Sequence, residues 1–165
     1  MRTINLEVLN ENNMDAVRVI RREDISEDFV DDADTIIEYA MYGIRHHCIG
    51  YTYAVYCEDI CIGMLLLGEA IPWETDPEEM RERPFYRLMG FVIDQRYRGQ
   101  GIGGYVLEKA VESVYRDFGV RPIALGVHKD NHAAAKFYER HGFRKTEVLE
   151  GNDYYYLRYP DSDAR

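Results

Sequence analysis

At 165 residues, with 46% apolar and 13% aromatic side chains, the chain can bury one continuous core and is short for two, so residues 1–165 read as a single globular domain. Its formal charge of -10, from 30 Asp and Glu against 20 Lys and Arg, excludes nucleic acid as a partner, because phosphate contacts need positive surface. The same charge suits a cationic small molecule. Ile4–Leu9 alternates apolar and polar residues and predicts a first strand; helices are expected over about Met14–Arg21 and Asp34–Arg45. Tyr51–Tyr56 and Ile60–Gly68 read as strands joined at Cys57-Glu58-Asp59, a hairpin with an acidic tip. Ile71–Pro84 is polar and proline-containing and is expected to be a mobile loop before a strand at Tyr86–Ile93. From Gly101 to Asp117, Ile102, Val106, Ala110, Val111 and Val114 recur at helical spacing, with Gly119 as a stop. Ile123–Val127 reads as a short buried strand, Asn131–His141 as a helix ended by Gly142, and Phe143–Leu149 with Tyr154–Tyr159 as a terminal hairpin. The order predicts an α/β (α+β) chain with a mixed sheet covered by helices on both faces.

No signal-peptide pattern precedes the first strand, and Met64–Leu67 is far too short to cross a bilayer, so a cytoplasmic location and no membrane partner are expected. Cys48, Cys57 and Cys61 form no paired motif and read as reduced thiols; only Asp161–Arg165 is expected to be disordered. His128 and His132 lack a third ligand at a recognisable spacing, which favours surface or cap histidines and no metal. The sequence leaves a homodimer open.

Phe91–Gly104 carries most of the chemical information: an apolar strand, a basic turn, four glycines within six residues, then a helix. Glycines let successive N–H groups converge, and the positive end of the helix dipole favours a pyrophosphate. A turn that merely closes the strand–helix connection is the alternative. Gly99, Gly101 and Gly104 also fit G-x-G-x-x-G, but a nicotinamide-binding turn starts its glycines almost directly after the strand and places an acid about 20 residues on. Here Asp94–Arg98 intervene, and the later region reads Val120-Arg121-Pro122-Ile123-Ala124. No Gly-Lys-Ser/Thr step is present, which argues against nucleotide hydrolysis.

Arg96-Tyr97-Arg98-Gly99-Gln100-Gly101 resembles the R/Q-x-x-G-x-G/A signature of the GNAT superfamily of N-acetyltransferases. A second block, Asn131-His132-Ala133-Ala134 through Phe137-Tyr138 to Gly142-Phe143, resembles that family's later motif, N-x-x-A-x-x-(apolar)-Y-x-x-x-G-F. The resemblance implies the GNAT fold: a mixed, mostly antiparallel sheet of six to seven strands with about four helices on its two faces. It implies acetyl-coenzyme A as cosubstrate, with no metal. On the same resemblance the backbone of Phe91 and Ile93 would pair with the pantetheine arm, with Val92 between them also at the cofactor, and Arg98, Gly99, Gln100, Gly101, Ile102, Gly103 and Gly104 would hold the pyrophosphate. Asn131 is an expected helix N-cap, to which the resemblance adds a cofactor contact. Tyr138 matches the family's general acid for the departing thiolate; a buried aromatic beside Phe137 is the alternative reading.

The base is open. Polyamine acetyltransferases of this superfamily often carry a Glu on the strand before the phosphate loop, whereas Tyr86–Ile93 holds no carboxylate and Met89 stands at about that position. Glu69, on the preceding strand, is a candidate base acting through water, against a plain strand-end charge or loss of the proton to solvent. Acids crowd the two segments nearest the family's acceptor pocket: Glu23, Asp24, Glu27, Asp28, Asp31, Asp32 and Asp34 in one, and Glu147, Glu150 and Asp153 in the other. They would steer polycations, or they are a solvated acidic face. The expected activity is transfer of an acetyl group, in a ternary complex, to a primary amine of a small cationic substrate, polyamine- or aminoglycoside-like. A peptide or protein amino terminus as acceptor, or a non-catalytic acyl-coenzyme A module, is the other reading.

Overall fold

The computed structural model describes residues 2–161. Ser162–Arg165, most of the stretch expected to be disordered, lie outside the described residues. The strands are β1 (Ile4–Val8), β2 (Gly50–Cys57), β3 (Ile60–Glu69), β4 (Tyr86–Ile93), β5 (Ile123–His128), β6 (Arg144–Glu150) and β7 (Asp153–Arg158), and the helices α1 (Ala33–Arg45), α2 (Glu79–Glu82), α3 (Ile102–Phe118) and α4 (His132–Arg140). They form one seven-stranded sheet in the order β1-β2-β3-β4-β5-β7-β6. All neighbours are antiparallel except β4 and β5, which α3 connects and which therefore run parallel. Among the described residues no helix is long and apolar enough to cross a membrane.

Strand alternation sends the apolar residues to two cores. Tyr53, Val55, Leu65 and Leu67 meet Val106, Leu107, Ala110, Val111 and Val114 of α3 on one face. Ala54, Met64 and Val92 meet Ile36 and Ile37 of α1 on the other. Asp32 caps α1, accepting from the Thr35 N–H at 2.8 Å, which fixes where the acidic segment ends and the helix starts.

The site is created by a break in this sheet. β4 and β5 pair at Tyr86–Ile123 and Arg87–Ala124, and among the described residues the rest of β4 has no strand partner on that side. On its other side, the register with β3 slips between Met64 and Leu66, opposite Gly90 with φ +63. A Cβ on Gly90 would lie 2.3 Å from Cγ1 of Ile36, so only glycine lets α1 close over the bulge. Gly90→Ala is expected to cost about 2–5 kcal/mol, from the left-handed backbone and the overpacked Ile36 together. Urea titration checks this, and an unchanged midpoint contradicts it.

Two sequence expectations are corrected. Met14–Arg21 is not an α-helix but turns and a short 3-10 segment, Ala16–Val19. No side chain caps its start, and at its end the Asp94 carboxylate takes the Arg21 N–H (3.0 Å) while Gln95 N–H bonds Arg21 C=O (2.8 Å), which draws the backbone out of the helix. Ile71–Pro84 is not a free loop: Asp76 is buried at its centre and ion-paired with Arg87 of β4, and α2 follows.

Candidate functional site

The break in the sheet lies between two joined cavities. The first is a groove of about 1120 Å³ lined by the open part of β4, the glycine loop, α3 and α4. Phe91, Val92, Ile93, Arg98, Gly99, Gly101, Gly103, Gly104, Asn131 and Tyr138 all line it. Gln100 and Ile102 do not: the Gln100 side chain bonds Arg2 at 2.7 Å, and Ile102 is buried in the α3 core. Gly99 and Gly101 have φ of +74 and +80, and a Cβ on either would meet no atom within 4 Å, so both serve the backbone turn. Gly103 and Gly104 serve contact instead, because Cβ atoms there would reach the Phe137 ring at 3.4 Å and the His141 ring at 2.8 Å.

The groove fits a pyrophosphate on two counts. Gly101 is the N-cap of α3 and offers no side chain, so the first-turn N–H groups remain available to an anion. Arg98 donates Nε to Ile93 C=O at 2.8 Å and contacts Asp24 through Nη1, yet its buried Nη2 has no partner among the described residues. A buried guanidinium N–H left unsatisfied is costly, and an anionic ligand would complete it.

Asp94 is the residue that sequence reasoning missed. It is fully buried and accepts from Arg21 N–H, Arg96 N–H, Arg96 Nε (2.9 Å) and Arg96 Nη2 (2.9 Å). The Arg96 side chain, with the Arg21 and Arg96 amides, overcomes burial and holds the carboxyl well below the usual carboxylate range. The arginine that opens the signature thus locks the base of the loop onto Asp94. The signal was an Asp at the strand end two residues before an Arg, but its contact with Arg21 spans 73 residues.

The second cavity, a chamber of about 300 Å³, lies on the other side of the break and shares Phe29, Val30, Phe91, Asn131, Ala134 and Tyr138 with the groove. The two acidic segments meet here. Glu27, Asp28 and Asp31 from the first, and Glu150 and Asp153 from the second, line the chamber. The other acids have separate duties or positions: Asp24 contacts Arg98, Asp32 caps α1, Asp34 pairs with Arg18 at 2.7 Å, and Glu23 and Glu147 are exposed. Burial raises the Asp31 carboxyl, with Asp32 adding to it. Burial also raises Asp153; His128 opposes the shift, and Glu150 and Asp31 add to it. Arg87 also lines the chamber, but Asp76 holds its guanidinium, so the five chamber carboxylates face no cation of their own among the described residues.

Tyr138 stands where groove and chamber meet. Its ring packs edge-on against Phe137 (5.2 Å) and Phe143 (5.5 Å), and among the described residues its hydroxyl has no hydrogen-bond partner. Burial pushes its pKa above the ordinary tyrosine value. Asn131 caps α4, accepting from the Ala134 N–H at 3.2 Å, and also lines both cavities. Glu69 is not brought into the site. It pairs with Tyr86 at the far end of β3, is exposed, accepts from the Ile49 N–H at 3.2 Å, and lines neither groove nor chamber.

Residues 14–143 match the acetyltransferase (GNAT) family. The chain belongs to that family. As a GNAT chain it is 22% identical over 150 residues to the spermine/spermidine N(1)-acetyltransferase of Bacillus subtilis, covering 91% of this chain and 93% of that one. It is 31% identical over 64 residues to an N-alpha-acetyltransferase of Saccharolobus solfataricus, covering 39% and 38%. The chain spans under half the length of the first curated relatives it matches, 46% and 31%. In fold it resembles the PaiA N-acetyltransferase of Thermoplasma acidophilum solved with coenzyme A, with a TM-score of 0.69, 15% identity, and coverage of 96% and 99%.

Proposed function

We propose that the chain transfers the acetyl group of acetyl-coenzyme A to the primary amine of a small cationic substrate held in the acid chamber. The observation that carries this reading is the placement of Tyr138 on both cavities, with the glycine loop and Arg98 on the groove side and the five carboxylates Glu27, Asp28, Asp31, Glu150 and Asp153 on the chamber side. The bound cofactor would supply a thioester as acyl donor. Arg98, the glycine-loop N–H groups and Asn131 are proposed to hold it, and the unpaired edge of β4 at Phe91–Ile93 to line its arm. The Ile93 carbonyl is already taken by Arg98 Nε, and Val92 is registered against Met64 of β3, which leaves Phe91 as the freer backbone partner on that edge.

On the acceptor side, Asp31, Glu150 and Asp153 attract an ammonium and orient it toward the break. Burial, with the neighbouring carboxylates adding to it, makes Asp31 and Asp153 more basic than ordinary aspartates, so they are the proposed destination of the amine proton. Tyr138, kept protonated by burial, would donate its hydroxyl proton to the departing thiolate.

Replacing Glu150 by Gln and Asp153 by Asn together tests the chamber. The KM for amine is expected to rise about 10–100-fold with the cofactor KM unchanged, the loss of charge-assisted contacts to one ammonium; an unchanged amine KM contradicts the reading. Asp153→Asn alone also tests the electrostatics. A carboxyl whose pKa is raised on folding loses stability as pH rises through that value, so at pH 7 the ionised group is a burden on the free protein. The Tm of Asp153→Asn is expected above that of the parent at pH 7, and a fall would show that the carboxylate stabilises the fold.

A further inference from the structure

Beyond the chamber lies a third cavity, of about 680 Å³, between α1 and the sheet. Tyr39, Trp73, Arg87 and Met89 line both, whereas Tyr138, Asp31, Glu150 and Asp153 line the chamber and not this cavity. Its walls are largely apolar, with Leu9, Met14, Ala40, Ile44, Leu66 and Ile71 among them. Its two carboxylates, Glu11 and Glu69, are exposed, and Glu69 is engaged by the Ile49 N–H.

The boundary sets what can pass. Met89 is flexible and apolar, and suits an irregular hydrocarbon better than a charge. Arg87 is the one cation lining either cavity; its guanidinium is held by Asp76 and stacked on Trp73 at 3.8 Å. A second ammonium sent past it would leave the carboxylates for a guanidinium and an apolar wall.

We propose that this cavity holds the apolar tail of the acceptor, which is a monoamine: its single ammonium lies among Asp31, Glu150 and Asp153, and its alkyl or aryl body runs past Met89 beneath α1. The proposal rests on the amine-acetylation reading above and narrows it, away from polycations.

Cys48 reports on occupancy. It lines this cavity and is half-buried, whereas Cys57 and Cys61 are buried and line none of the three cavities. Labelling of Cys48 by N-ethylmaleimide is followed by mass spectrometry, without acetyl-coenzyme A, in the presence of ethylamine, butylamine, hexylamine, octylamine or spermidine. Octylamine and hexylamine are expected to slow the labelling, with the half-protecting concentration falling about fourfold for each added methylene that is buried. Ethylamine and spermidine are expected to leave it unchanged. Labelling indifferent to every amine, or protection by spermidine, or by a Met-Leu dipeptide amide and no free alkylamine, overturns the proposal.

In a second measurement Cys48→Trp, which fills the cavity, is expected to raise the KM for octylamine while kcat/KM for ethylamine holds; equal effects on both overturn it. The two readings fail separately. Acetylation of ethylamine without any protection of Cys48 defeats the tail assignment alone, and protection of Cys48 without thiol release from acetyl-coenzyme A defeats acetyl transfer alone.

Discussion

Tyr138→Phe is expected to lower kcat about 10²–10⁴-fold, the usual contribution of a positioned general acid, with little change in either KM or in Tm. The ring is retained, so its packing between Phe137 and Phe143 is kept. The hydroxyl has no partner among the described residues, so its removal leaves nothing unsatisfied. A structural aromatic would therefore give a near-silent substitution, and an acid a kinetic one. Because burial raises the Tyr138 pKa above its ordinary value, the proton is present throughout the working pH range, and the parent enzyme should show no loss of rate near pH 9 that Tyr138→Phe removes. A kcat within twofold of the parent, measured by coenzyme A thiol release, would assign the proton to solvent.

Asp76→Ala is expected to destabilise the protein by about 3–5 kcal/mol, the cost of leaving a buried cation without its partner. The Arg87 and Asp76 side chains are only 6% and 5% exposed and meet at 3.1 Å through both guanidinium nitrogens. Asp76 also accepts from the Trp73 N–H (2.9 Å) and the Tyr155 hydroxyl (2.9 Å). Burial alone would raise its carboxyl; the Arg87 guanidinium and these donors more than reverse that and hold it below its ordinary range. A depressed carboxyl contributes stability above the unfolded pKa, about 4, and loses it as pH falls toward the folded value, so the gap between parent and Asp76→Ala should narrow in acid. The substitution also frees the segment carrying Trp73 and Thr75; Thr75 bonds Glu150 and Tyr155, which both line the chamber, so the amine KM should rise with the loss of stability. Chemical denaturation with kinetics at a temperature where both proteins are folded checks both effects. A loss below about 1 kcal/mol would show that Arg87 reaches water once Asp76 is gone.

The parts of the site that were legible in the sequence are those whose physics is local. Four glycines after a strand, an Asn before a helix and a Tyr seven residues on each act within a few residues of chain, and the structure places them around one groove. Helix α3 was legible for the same reason, since its apolar spacing is its packing face. What the sequence hid depends on partners far along the chain. The Asp94 contact that unwinds the segment before Arg21, and the Asp76–Arg87 pair that pins a segment read as mobile, leave no periodic trace. The acidic segments were visible as a crowd, but which acids cap a helix, pair with an arginine or face the chamber is settled by tertiary contact. Glu69 shows the converse: its position on the neighbouring strand suggested proximity, and the antiparallel register carries it to the opposite end.

Acetyl transfer is tested most directly by coenzyme A thiol release from acetyl-coenzyme A in the presence of primary amines, with the product identified by mass and Tyr138→Phe run beside the parent. The predicted result is release coupled one-to-one to an N-acetylated amine and largely lost in Tyr138→Phe. Cofactor binding without release for any primary amine, alkyl, polyamine or peptide, would contradict it and leave a binding module in the enzyme's fold.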